Sequence, residues 1–261
     1  MPFDYVTTEE AIAREGLRMV VVTNVPSPWG EAAKGVLHMK GIDWAAVPLA
    51  YDDPKLGEWT KGSYSARRLV IVDGRRRTGW ADILLLAERI APEPALIPRN
   101  AIDRALMFGL CHELLGEGGL GWERRLQLID KGMRGEPGFP ERVAAYLAPK
   151  YGYTPACGAA CEARVIDLLM MLSTRLQSQK EAGSVYYIGS APTAADIFSA
   201  VVMAMFGPLP ENQCAMNPLT RAAFLAIDGA TKAALDPILF THRDHMYAEH
   251  LELPLSLSPP A

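Results

Sequence analysis

A serine stands between two prolines in the stretch Val25, Pro26, Ser27, Pro28, Trp29, directly behind an apolar run (17–23) and ahead of a helical stretch that ends near Gly41. A hydroxyl at the mouth of a helix has two uses. It caps the helix by accepting a backbone N–H, which is worth about 1 kcal/mol, or it serves as a catalytic hydroxyl. Pro28 suits either use, because its missing N–H belongs to the first turn, where that donor has no intrahelical partner.

Four other groups of residues could carry chemistry. Arg67, Arg68, Arg75, Arg76 and Arg77 cluster around one β-type run and the turn after it. Guanidinium groups bind carboxylates through paired donors, while a charge run on a turn also reads as a solvated hairpin. Cys157 and Cys161 share a helix face, but their spacing and place differ from a redox pair at a thioredoxin-type helix start, so they read as small core residues, as does Cys111 beside Met107 and Leu114. His242, Asp244, His245, Glu249 and His250 gather near the end of the chain. That set matches no established zinc spacing and reads as a polar surface; no metal is expected. The glycines of "GEGGLGW" (116–122) interrupt helices instead of joining a strand to a helix, which is the wrong context for a phosphate loop.

These residues must be placed by a fold of some size. The chain has 261 residues, is 49% hydrophobic and carries a net charge of −4, with a pI of about 5.8. This balance supplies no basic field for nucleic acid or an anionic membrane, and small molecules or proteins are the expected partners. No window approaches a membrane span, the N-terminal stretch is acidic and lacks an apolar leader, and four cysteines suit free thiols; a cytoplasmic protein is expected.

Residues 17–91 alternate strand-type and helix-type runs: 17–23, then the serine stretch, then 44–50, 68–74 and 81–90. Such alternation predicts an α/β unit with at least one parallel βαβ step. After a proline-rich joint at 91–98, residues 99–250 repeat apolar positions at three and four, the period of helices buried along one face. Thr193 and Asp196 form a capping pair at one helix start, and Gly183 ends the long helix before it. Residues 1–16 read as an N-terminal extension and 251–261 as an extended tail.

Taken together, the α/β half, the joint, the helical half, "SPWGEAAKGVLHMKGID" (27–43) and "YIGSAPTAADI" (187–197) resemble the glutathione S-transferase superfamily over roughly residues 17–235. The resemblance implies a thioredoxin-like domain followed by an all-helical domain, glutathione as co-substrate and a homodimer. It places Ser27 where the family stabilises the glutathione thiolate, the active form of a thiol whose free pKa is near 8.5. Trp29 would flank that pocket, the backbone at Arg67, Arg68 and Leu69 would pair with the cysteinyl part, and Ala81 and Asp82 would meet the γ-glutamyl end. Met107, Trp122, Tyr151 and Tyr153 would wall the pocket for an apolar or aromatic electrophile.

Two features depart from the family pattern. No proline occurs between Pro54 and Pro92, although the family has a cis-proline before its third strand; a cis bond without proline costs about 2.5–4 kcal/mol, so that backbone differs. Ala81 and Asp82 stand where an acidic residue followed by serine is usual. The expected function is a glutathione transferase, or a glutathione-dependent lyase or isomerase on the same scaffold. The alternative is a binding module of the same fold that has lost glutathione and holds another acidic or aromatic ligand or a protein partner.

Overall fold

The computed structural model describes residues 3–50, 52–61, 71–72 and 75–259. Arg67, Arg68 and Leu69, together with the peptide before them, lie outside the described residues.

The first half is a three-layer α/β unit. Its elements are β1 (Asp4–Tyr5), α1 (Thr8–Ala13), β2 (Arg18–Val21), α2 (Pro28–Met39), β3 (Ala45–Pro48), α3 (Pro54–Thr60), β4 (Ile71–Val72), β5 (Arg76–Arg77) and α4 (Trp80–Ile90). The sheet order is β1-β3-β2-β4-β5. β1 and β2 both run parallel to β3, with Asp4 and Arg18 each opposite Ala45, and β4 and β5 complete an antiparallel edge. Successive strand residues point to opposite faces. Met19, Val21 and Ala46 therefore join the core shared with α2 and α4, while Val20 and Val47 pack with Ala11 of α1 and Leu56 of α3.

The N-terminal extension expected over 1–16 contributes β1 and a helix with its own capping box, Thr7 with Glu10. The proline-rich joint holds no regular element between Ile90 and Ala101, yet it is pinned to both halves. Glu88 pairs with the buried Lys40 and accepts from Leu96 N at 2.9 Å, and Ala194 N donates to Leu96 O at 3.0 Å.

The second half is helical: α5 (Ala101–Leu115), α6 (Leu120–Met133), α7 (Glu141–Tyr151), α8 (Pro155–Glu181), α9 (Ala194–Val202) with a 3-10 turn at Met203–Met205, α10 (Pro218–Leu225), α11 (Gly229–Ala233) and α12 (Pro237–Glu249). The glycine stretch after α5 is the break between α5 and α6. A Cβ at Gly119 would lie 2.6 Å from His112 O and 2.8 Å from Glu113 O, so a residue without a side chain is required there.

α9 is buried throughout and packs against α2, α5 and α12. Its start is built on Asp196, which is 0% exposed. Asp196 Oδ2 accepts from Thr193 N at 2.7 Å and Thr193 Oγ1 at 2.8 Å, while Oδ1 accepts from Tyr187 N at 2.8 Å and His242 Nε2 at 3.1 Å. His242 is therefore not part of a polar surface; it is a buried residue of α12 that closes this network.

α9 also carries α2. Gly35 lets the two helices meet: a Cβ there would come within 2.7 Å of Ile197 Cγ2 and 3.0 Å of Leu251 Cδ2. Breaking a buried charged network by removing one partner costs roughly 3–5 kcal/mol. Asp196→Ala is expected to lower the urea unfolding free energy by about that amount, whereas Asp244→Ala, on the exposed side of α12, changes it by less than about 0.5 kcal/mol.

Candidate functional site

Ser27 is the N-cap residue of α2, yet its side chain makes no capping hydrogen bond. The turn is closed by the backbone instead: Ser27 N–H donates to Val25 O at 2.8 Å, and Ser27 O accepts from Glu31 N at 2.8 Å. Pro28 occupies the first helical position. The next amides, of Trp29 and Gly30, have no carbonyl one turn back within the helix, so they and the helix dipole make this terminus favourable for an anion. Ser27 thus brings a hydroxyl that capping leaves uncommitted to a terminus that favours negative charge.

One turn into α2, Glu31 and Lys34 form a buried pair at 2.9 Å. Burial pushes the Glu31 carboxyl upward, and Lys34 opposes that shift. Lys34 also donates to Ser256 O at 2.8 Å, so the charged pair is tied to the tail and lies away from the terminus itself.

Trp29 points into the helical domain, where Nε1 donates to Leu115 O at 2.8 Å. Its ring centroid is 5.9 Å from that of Tyr151, which is 4.9 Å from that of Trp122. Two of the four expected wall residues, Trp122 and Tyr151, are thereby brought together with Trp29, the expected flank. The buried Arg125 joins them, its guanidinium carbon 5.7 Å from the Trp29 ring centroid and 5.5 Å from those of Tyr151 and Phe139. Cation–π contact with three rings accounts for the burial of this charge.

Met107 and Tyr153 do not line this place. Met107 is 0% exposed, with Cys111 Sγ 3.4 Å from its sulfur inside the core. Tyr153 donates to Asp130 Oδ1 at 2.8 Å and lines a separate groove of ≈ 600 Å³ with Lys131, Glu162 and Asp228. Within α6 the 3.6-residue period turns Lys131 about 180° away from Trp122, and Asp130 lies between the two directions. Sequence spacing alone had not separated the two faces.

Between α2 and α4, Trp29, Thr78, Trp80 and Phe198 surround a cavity of only ≈ 10 Å³. Trp80 lies along it, 5.7 Å from Phe198 and 6.1 Å from Phe108 between ring centroids. Ala81 is half-buried in the first turn of α4. Asp82 is exposed and opens onto an outer groove of ≈ 720 Å³ that also holds Arg77, Arg89, Arg99 and Arg104.

Among the described residues, no group of three or more His, Cys, Asp or Glu side chains could hold a metal ion. His242 of α12 meets Asp196, while His245 of α12 and His250, just past its end, both face Tyr186 OH, at 3.4 Å and 2.8 Å from Nε2. No helix of the described residues is long and apolar enough to cross a membrane.

The layered α/β unit, the joint and the helical domain carrying the capping pair at Thr193 define a two-domain protein with a thioredoxin-like first half. Solved structures identify the fold as that of the glutathione S-transferases. One is a glutathione S-transferase from Methylobacterium radiotolerans in complex with glutathione sulfonate, 15% identical, covering 94% of this chain and 99% of that one with a TM-score of 0.58. A glutathione S-transferase from Xanthobacter autotrophicus is 16% identical over 94% of this chain and 98% of its own, with a TM-score of 0.57. Another, from Methylobacillus flagellatus with glutathione bound, is 14% identical over 84% and 98%, with a TM-score of 0.54. No family model and no curated protein sequence matches the chain.

All four cysteines are free. Burial pushes the Cys161 thiol up to about 12, with Glu123 and Asp130 adding to it, and holds Cys111 and Cys214 above the usual thiol range. A water-soluble disulfide reagent is expected to label Cys157 in the native protein and the other three only in denaturant, as counted by absorbance or mass spectrometry.

Proposed function

We propose that the chain is a glutathione-dependent transferase in which Ser27 donates a hydrogen bond to the thiolate of glutathione for attack on a small apolar or aromatic electrophile. The observation that carries this reading is the Ser27 hydroxyl, which sits at the start of α2 without capping it. Solved proteins of this fold have been crystallised with glutathione and with glutathione sulfonate, which supports the choice of thiol. In this reading Trp29 and the backbone at Arg67, Arg68 and Leu69 flank the tripeptide, Ala81 and Asp82 lie at its γ-glutamyl end, and Trp122 with Tyr151 backs the electrophile. The same scaffold would serve a lyase or isomerase using the same thiolate.

Calorimetric titration tests it: the wild type binds glutathione at millimolar concentration or tighter. Ser27→Ala still folds and lowers kcat/KM for a model aromatic electrophile by about 10²-fold, the scale of losing one donor to a developing anion. The thiol pKa read from the pH profile rises toward about 8.5 in the variant. Its deficit is therefore largest near neutrality and shrinks as pH climbs through that value. Absence of glutathione binding by the wild type would sink the reading. The second reading, a binding module of the same fold, then takes its place; it is favoured by the ≈ 10 Å³ of space beside Trp29 and Trp80 and by Asp82 facing the arginine groove.

The proposal includes a homodimer and a reducing, cytoplasmic setting. Leu85, Ile102 and Leu106 stand exposed on α4 and α5, Ile102 at 79%, beside the groove where arginines and carboxylates alternate. Ile102→Glu is expected to convert a dimer into a monomer in sedimentation velocity without loss of helical circular dichroism.

A further inference from the structure

Both main-chain groups of Asn24 are held by chain from the far end of the sequence. Its N–H donates to Leu257 O at 2.7 Å, and its carbonyl accepts from Asn217 N at 2.8 Å. Asn24 lies at φ 61°, in the left-handed region, which asparagine enters more readily than most residues with a side chain but which is still sparsely populated. Ser27 closes the next tight turn on Val25 O. The path into Ser27 is therefore a left-handed residue, clamped from both sides, followed by a tight turn.

The clamp is itself anchored. Leu255 N donates to Gln213 O at 2.8 Å, and Ser256 O receives Lys34 Nζ at 2.8 Å and Tyr5 OH at 3.2 Å. Leu257 is 3% exposed. On the other side Arg221 fixes the approach to Asn217 by donating to Leu209 O at 3.1 Å and Cys214 O at 2.6 Å. One short segment thus joins β1, α2, the loop before Asn217 and the turn before Ser27.

We propose that the Leu255–Leu257 strap is the positioning element for Ser27. By holding Asn24 left-handed it sets the direction in which the hydroxyl is presented at the start of α2. Its functional meaning rests on the reading of Ser27 as the thiolate donor, whereas its effect on the turn is measurable without any ligand.

The test uses the whole protein, with native-state amide exchange and glutathione calorimetry on Leu257→Ala, Leu257→Met, Tyr5→Phe and Leu172→Ala. Leu257→Ala is expected to raise exchange at Asn24 and Ser27 by about tenfold or more through local opening and to weaken glutathione binding by a similar factor. Leu257→Met, which keeps the volume, restores both. Tyr5→Phe removes one bond to Ser256 and moves both readouts about two- to threefold in the same direction, which covers the case in which Leu257→Ala does not fold. Leu172→Ala, in α8, lowers global stability but leaves local opening at Asn24 and Ser27 unchanged. Equal exchange in wild type, Leu257→Ala and Tyr5→Phe overturns the proposal, as does equal loosening by Leu172→Ala. A loosened turn with unchanged glutathione affinity overturns its positioning role. Should the wild type not bind glutathione while the exchange pattern appears, the transferase reading falls and the strap stands.

Discussion

A carboxylate withdrawn from water must be surrounded by donors or take up a proton. Asp196 meets that demand from three separate pieces of chain: its own helix start, the segment before it at Tyr187, and His242 of α12. Because the imidazole donates through Nε2, α12 is bound to the start of α9, and α9 in turn meets α2 at Gly35. The orientation of the helix that carries Ser27 is thus fixed from behind, by a network that contains no residue of the site. The helix that carries Ser27 belongs to one domain, and the network that braces it belongs to the other.

α6 uses the opposite charge in two different ways. Arg124, fully buried, donates to Met205 O, Phe224 O, Ala226 O and Gln127 Oε1, and burial lowers it to about 10. Carbonyl dipoles, not a carboxylate, hold it, so the guanidinium works as a junction for the turn after α9, the end of α10 and α6 itself. Arg125, next in sequence, is surrounded by rings. A hydrogen-bonded cation and an aromatic-caged cation on adjacent residues let α6 pack against two different environments, one inside the helical domain and one facing Trp29.

The parts of this fold that were legible in the sequence are those where a single local rule decides. Met19 to Val21 and Ala45 to Val47 read as strands because β-type residues run between turn signals, and Thr193 with Asp196 marks a helix start by capping chemistry. In α6 the apolar period is blurred, since Arg124, Arg125, Gln127 and Asp130 are buried among the apolar positions. The segment around His242 read as surface for the related reason that a buried polar residue is recognisable only through its partner, here forty-six positions away in the chain. Strand β1 is two residues long and carries no pattern, so its place beside β3 comes from pairing and not from composition. At the site, the Ser27 hydroxyl left free of capping is a matter of geometry: Ser-Pro predicts a cap, and only the three-dimensional arrangement separates the cap position from the capping bond. Trp29, Trp122 and Tyr151 were legible as aromatics, whereas placing Met107 required knowing which face of α5 it occupies and placing Tyr153 required knowing the course of the turn between α7 and α8.

The two groups that grip Asn24 have a consequence for the order in which the protein can be made. Asn217 and Leu257 leave a ribosome long after Ser27 does, and domains form N-terminal first as they emerge. The sheet and α2 can assemble early from β2, α2 and β3, whose contacts are local. The two bonds that clamp the left-handed residue ahead of Ser27 form only once Asn217 and Leu257 have emerged and docked. A nascent chain would therefore hold its first layer before the start of α2 is clamped, so the geometry of that terminus is set by later segments and not by the layer that carries it.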